Sequence, residues 1–356
     1  MNPMLPTASH AMFSHAPVAL SHVLGHAVTR RRVLAASIPA LALVASVITG
    51  CSAGGTGAAA GSASAAAADA SGKVKVVASF YPMADFAEKV GGDHVAVTNL
   101  VPAGTEPHEW EPSPKDIQAI EGAGVFVYNG AGMEGWVDDT LKSVDTSKVQ
   151  VVEASKGLDL LSGEDDHDHE GAEDESEHEE SEYNPHVWLY PENAKREMEA
   201  IKDALVKADP DHEADYEANY EKYAAKFDEL DKEYAEQISA AKGKTLVVSH
   251  DAYGYLAHAY GLTTKAIAGM DAEGEPDAKT MAEIIDFVKE NDVKVIFSED
   301  LVSPKVAQQI ASSTGAECRV LNPLEGLTDE QLKAGDDYFS VMERNLKEIV
   351  DALDAE

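Results

Sequence analysis

Neither glycine nor proline interrupts residues 211–241, and nothing else in this 356-residue chain restricts its fold so tightly. Within that stretch Tyr216, Tyr220, Tyr223, Phe227, Leu230, Tyr234 and Ile238 recur at steps of three and four. The spacing predicts one helix of about thirty residues, roughly 45 Å long, with a single apolar stripe. A stripe of this kind is a packing face, and its tyrosines do not make a cofactor site. The helix serves as a stiff backbone between two lobes and allows them only modest relative movement.

The flanking sequence supplies those lobes. Before the helix, 73–79 (KVKVVAS), 94–100 and 125–128 read as strands, with helices around 83–90 and over 114–121. After it, 244–249 (KTLVVS), 293–298 (VKVIFS) and 319–321 read as strands. Helices are expected from 252, over 281–290 and 305–314, and in the closing stretch 336–353. Strands alternating with helices predict an α/β fold, each lobe a mainly parallel sheet flanked by helices. The expected organisation is an N-terminal lobe over 73–209, the bridging helix over 210–242 and a C-terminal lobe over 243–356.

The chain ahead of residue 73 reads differently. Arg30-Arg31-Arg32 opens an apolar run, 33–49, that is interrupted by Pro39 and ends in Ile48-Thr49-Gly50-Cys51. A basic start, an apolar stretch and small residues before a break describe an export segment. The run is similar to a bacterial lipoprotein signal over 1–51, which implies lipidation of Cys51 and anchoring at the outer face of the cell membrane. The arginines suit the twin-arginine route or the general one. Residues 52–72 are a small-residue tether without core-forming capacity.

The formal net charge is −36, and residues 1–50 hold three arginines and no acid, so the remainder carries −39. Phosphate binding needs a basic face, which argues against a nucleic-acid partner. The only cysteines are Cys51 and Cys318. With the first lipidated no internal disulfide forms, and Cys318 reads as a small buried residue.

Much of that charge sits in the loop 162–183. Twelve of the nineteen side chains of 164–182 are carboxylates, and His167, His169 and His178 are imidazoles. A segment with nothing apolar to bury cannot enter a core. Its side chains are nonetheless donors for a divalent metal, so it reads as an accessory metal loop beside a fixed site, or as a solvated insertion.

Ligands of open α/β sheets bind beyond the carboxyl ends of the strands. His250 follows strand 244–249 directly, and Glu299 follows 293–298. His108 lies in the loop just past 94–100, and His186 follows the acidic segment. A lone histidine after a strand is more often structural than a ligand, as His94, His212 and His258 read here. Four matched donors at equivalent positions, two from each half, point instead to a cation held in the cleft between lobes.

The surrounding motifs carry a resemblance. Gly104-Thr105-Glu106-Pro107-His108-Glu109-Trp110, Asn184-Pro185-His186-Val187-Trp188-Leu189 and Ser249-His250-Asp251-Ala252-Tyr253-Gly254-Tyr255 resemble three ligand loops of the metal-binding solute-binding proteins of bacterial ABC importers. Phe297-Ser298-Glu299-Asp300 sits where the fourth ligand falls, and Asp300 could replace Glu299. Leu321-Asn322-Pro323-Leu324-Glu325 resembles the zinc branch, in which an acidic His-rich loop between the first two ligands is also characteristic. The resemblance implies two α/β lobes bridged by a long helix. It also implies a monomeric, lipid-anchored protein that captures Zn²⁺ outside the membrane and delivers it to a permease with its ATPase.

The expected ligands are therefore His108, His186, His250 and Glu299. Three imidazoles and one carboxylate suit four-coordinate zinc, whereas manganese favours more oxygen. A filled coordination shell argues for holding the ion rather than for catalysis. A manganese-binding member of the same family, a metallohydrolase and a surface adhesin are the alternatives. No H-E-x-x-H motif supports the second, and nothing specifies a host ligand for the third.

Overall fold

Valine builds the first sheet. β-branched side chains fit a pleated surface, and parallel strands covered by helices on both faces read as unbroken apolar runs. In this computed structural model, which describes residues 67–69, 71–163 and 182–355, that is the pattern of the central strands. The first half runs β1 (Val74–Ala78), α1 (Tyr81–Gly91), β2 (Val95–Asn99), α2 (Pro114–Glu121), β3 (Val125–Tyr128), α3 (Val137–Leu141), β4 (Gln150–Glu153) and α4 (Pro191–Ala208). After α5 (Glu213–Ala240) come β5 (Thr245–Val248), α6 (Gly254–Tyr260), β6 (Thr263–Ala266), α7 (Ala278–Glu290) and β7 (Val295–Ser298). The chain closes with α8 (Lys305–Thr314), β8 (Glu317–Val320), α9 (Asp329–Ala334) and α10 (Tyr338–Asp354).

Two four-stranded sheets result, in the orders β2-β1-β3-β4 and β6-β5-β7-β8, and every strand pair is parallel. The fold is α/β with two lobes. Two of the four edge strands, β4 and β6, do not stand out in the sequence, because QVVE and TTKA are short, partly exposed and carry no continuous apolar run. Helix α4 was likewise not expected from the sequence. Its stripe is thin, with Ala194, Met198, Ile201 and Leu205 facing the core behind a proline at the helix start.

Helix α5 is 28 residues long, about 42 Å, and a 3-10 turn over Pro210–His212 precedes it. Tyr216, Phe227, Leu230, Tyr234 and Ile238 are fully buried, while Tyr220 and Tyr223 pack partly buried on the same cluster. That cluster is the largest in the molecule and takes residues from both lobes as well as from α1, α4, α5 and α10.

The tether ends earlier than expected. Ala68 makes an antiparallel bridge to Val74, through a turn in which Asp69 Oδ1 accepts from the backbone N–H groups of Ser71 and Lys73. Cys51 with the expected export segment, and the loop histidines His167, His169 and His178, lie outside the described residues. Among those described, no helix is long and apolar enough to cross a membrane. Cys318 is partly buried rather than buried, since β8 is an edge strand.

One core residue breaks the apolar rule. Glu197 of α4 is 0 % exposed, and neither of its carboxylate oxygens has a hydrogen-bond partner. Burial raises its pKa well above the usual carboxylate range, and the nearby Glu134 adds to this. A raised pKa contributes stability that is complete below the unfolded value near 4.5 and is lost as pH rises through the folded value. Glu197→Gln is therefore expected to raise stability at pH ~8 by about 1–3 kcal/mol, with the gain vanishing below pH ~4. Melting curves at the two pH values decide it; an equal effect at both would mean that the side chain is not titrating.

Candidate metal centre

Because all strands of each sheet run parallel, the carboxyl ends of both sheets supply the loops that meet in the cleft. His108 comes from the loop after β2. That loop is tied to the other lobe by Gly104 N–H donating to the Leu327 carbonyl at 3.0 Å. Gly104 takes φ +75°, a conformation open to glycine and costly for other residues. Glu106 stiffens the loop further by accepting the His108 backbone N–H.

His186 is the most constrained of the set. Asn184 Oδ1 accepts both from the His186 backbone N–H, at 3.0 Å, and from Nδ1–H, at 2.9 Å. The amide oxygen can only accept, so the proton sits on Nδ1 and the Nε2 lone pair faces the cleft. Asn184 also reaches the second lobe, donating from Nδ2 to the Asp251 carbonyl and accepting from Tyr255 O–H at its own carbonyl, each at 2.8 Å. A Cβ on Gly254 would stand 3.2 Å from Asn184 Nδ2, so the glycine leaves room for that amide. Trp188 continues the seam: its indole N–H donates to the Pro323 carbonyl at 2.8 Å, and its own carbonyl accepts from Tyr338 O–H at 2.7 Å.

The structure brings His108, His186 and His250 together with Glu325, one donor atom from each lying within 4.8 Å of all the others. Glu325 Oε1 is 2.9 Å from His250 Nε2, 3.0 Å from His186 Nε2 and 3.4 Å from His108 Nε2. His186 Nε2 is 3.1 Å from His250 Nε2 and 3.2 Å from His108 Nε2. A tetrahedral zinc with donors at about 2.0–2.1 Å needs donor–donor separations of about 3.3 Å. These five edges lie close to that spacing. His186, His250 and Glu325 are buried, and His108 closes the site at its more open side.

The expected fourth donor stands elsewhere. Glu299 does not face the cluster; its Oε1 accepts from His250 Nδ1–H at 2.6 Å, on the far side of the ring. The reason is register. β5 and β7 are neighbours with Val247 opposite Ile296, so His250 and Glu299, each three residues further on, stand side by side at adjacent strand ends. A side-by-side carboxylate supports the imidazole and cannot also stand across from it. Asp300 is turned away altogether, accepting from Asn322 Nδ2 and Gln331 Nε2. Glu325 instead arrives from the turn after β8. There Leu324 adopts φ +59° while fully buried, and its N–H donates to Asn322 Oδ1 at 2.7 Å. A leucine in the left-handed region is locally strained, and this strain aims the next side chain into the cleft. The motif Asn322-Pro323-Leu324-Glu325 was visible at a strand end, but strand-end position and the family resemblance both favoured Glu299.

Charge is finely divided within the cluster. Burial drives the His186 pKa down to about 3 against the pull of Glu325, so this ring stays neutral. Burial also opposes a charge on His250, but the carboxylates of Glu299 and Glu325 outweigh it and hold that pKa well above the ordinary imidazole range. His108 is raised in the same way, by Glu325 and Glu106 against its burial. Burial would raise Glu325, yet the three imidazoles hold its carboxyl well below the usual range.

The comparisons with known proteins agree with this architecture. The profile of the family described as ZnuA, zinc-uptake complex component A, periplasmic, matches residues 76–352. The chain is 42% identical over 287 residues to the zinc-binding lipoprotein AdcA of Streptococcus pneumoniae strain R6, covering 80% of this chain and 57% of that protein. It thus spans little more than half the length of the AdcA relatives. Against the high-affinity zinc uptake system protein ZnuA of Bacillus subtilis strain 168, identity is 42% over 281 residues, with 79% of this chain and 88% of that protein covered. The crystal structure of the Zn(II)-bound ZnuA-like domain of S. pneumoniae AdcA superposes with a TM-score of 0.69 at 40% identity, covering 80% of this chain and all of that one. The chain belongs to the ZnuA family.

Proposed function

We propose that this protein captures Zn²⁺ outside the cell membrane and passes it to the permease of an ABC importer, with His108, His186, His250 and Glu325 as the four ligands. The observation that carries the reading is the convergence of three imidazole nitrogens and one carboxylate oxygen within 4.8 Å of one another in the cleft. The names of the relatives point the same way. Nitrogen-rich, four-coordinate geometry favours zinc over manganese, which takes more oxygen donors at higher coordination. Four protein donors leave no position for an activated water, so the site holds its ion and does not turn it over. Lipidation at Cys51 would keep the protein at the membrane beside its permease.

Metal analysis tests this reading directly. Protein lacking residues 1–51 is expected to retain one zinc after dialysis and to prefer zinc over manganese in competition. Loss of zinc on dialysis, or retention of manganese, would sink it. The acidic segment 164–182 then has the role of gathering zinc for the site. Its deletion should slow loading at low zinc and leave the equilibrium affinity within about threefold, as expected for weak, solvent-screened charges. Mixing experiments against a zinc-buffered dye separate the two quantities.

A further inference from the structure

A second polar junction joins the lobes away from the metal centre. Lys89, near the end of α1, places Nζ 2.7 Å from Asp85 Oδ1 within its own helix and 2.9 Å from Asp337 Oδ2 at the start of α10. Its side chain is 11% exposed. The ammonium also lies over two rings, Tyr223 of α5 at 5.7 Å and Phe339 of α10 at 5.9 Å. One cation thus touches the N-terminal lobe, the bridging helix and the C-terminal lobe. Among the described residues, no other lysine or arginine ion pair ties a helix of one lobe to a helix of the other.

The junction is wired to the metal centre. Asp337 caps α10, accepting the Ser340 N–H at 2.9 Å, and so fixes where that helix begins. The next residue, Tyr338, packs its ring on Phe86 of α1 at 5.1 Å and donates its hydroxyl to the Trp188 carbonyl, two residues past His186. Parting the lobes must pull α1 from the start of α10 and uncover an ammonium that is otherwise surrounded. Any release of the ion that requires the lobes to part would carry that cost.

We infer that Lys89 is a positioning residue whose bridge to Asp337 holds the lobes in their zinc-retaining arrangement and sets how long the ion stays bound. This rests on the zinc-capture reading above. Loss of a partly buried ion pair from only one of two states changes their balance by about threefold to tenfold.

Two variants on the same ammonium separate an interlobe role from local stabilisation. Asp337→Asn keeps a good cap for α10 and removes the charge facing Lys89 across the lobes. Asp85→Asn removes the charge within α1 and leaves the bridge in place. Each protein is loaded with zinc, and release into excess chelator is followed. The expected result is one zinc bound by every protein, release about threefold to tenfold faster for Asp337→Asn, and a wild-type rate for Asp85→Asn. Wild-type release from Asp337→Asn, or equal acceleration by both variants, overturns the proposal. Wild-type protein that takes up no zinc would instead overturn the zinc reading beneath it.

Discussion

Glu325→Ala is expected to lower zinc affinity by about 1,000-fold, the largest effect of any single carboxylate change in this protein. Structural zinc sites bind with about 10–16 kcal/mol, so one of four donors carries roughly 3–4 kcal/mol, or about 100- to 1,000-fold. Glu325 lies at the top of that range because its carboxylate oxygen stands among all three imidazole nitrogens. Without it a divalent ion enters a buried pocket with no anionic donor in direct contact, and the carboxylates of Glu299 and Glu106 act only through the rings beside them. Glu299→Gln tests the other half of the assignment. Glu299 touches only the remote nitrogen of His250, so its loss should disturb ring orientation and basicity, for about 10- to 100-fold. Asp300→Asn should leave affinity unchanged, since its contacts are with Asn322 and Gln331. Competition titrations against a chromophoric chelator give all three values. If Glu299→Gln costs as much as Glu325→Ala, the division into ligand and support is mistaken.

That division also marks what could be read in the sequence. The helix over 211–241 was legible because its signal is local: an unbroken run with an apolar stripe needs no tertiary context to be seen. The central strands were legible for a similar reason, since parallel strands buried on both faces spell continuous apolar words such as TLVVS and VKVIFS. Edge strands β4 and β6 and helix α4 carry weaker local patterns and owe their form to neighbours. Three of the proposed ligands could be named because each histidine stands in its own distinctive loop. The fourth could not, because the choice between Glu299 and Glu325 depends on the register of β7 beside β5 and on the backbone of Leu324. Both are tertiary facts. A strand-end rule places a residue at the mouth of the cleft without saying which way its neighbours leave it to point.

Zinc binding should weaken steeply with acid, and the charge distribution in the cluster says by how much. A ring held at a pKa of about 3, as His186 is, offers its lone pair at any ordinary pH and binds no proton that zinc must displace. His250 and His108 differ, because adjacent carboxylates raise their pKa values and favour protons on both rings. Zinc requires the neutral forms, so each of these two rings must give up a proton as the ion enters. As pH falls, apparent affinity should decline with a slope approaching two, about 100-fold per pH unit, once both rings are charged in the metal-free protein. The slope flattens as pH rises through the raised values. Calorimetry in buffers of different ionisation enthalpy reads the same quantity directly, and the expected release is between one and two protons per zinc near neutral pH. Release of none would show that Glu325 and Glu299 do not hold protons on these rings. Release of three would show that His186 is charged and that its bond to Asn184 does not set the tautomer.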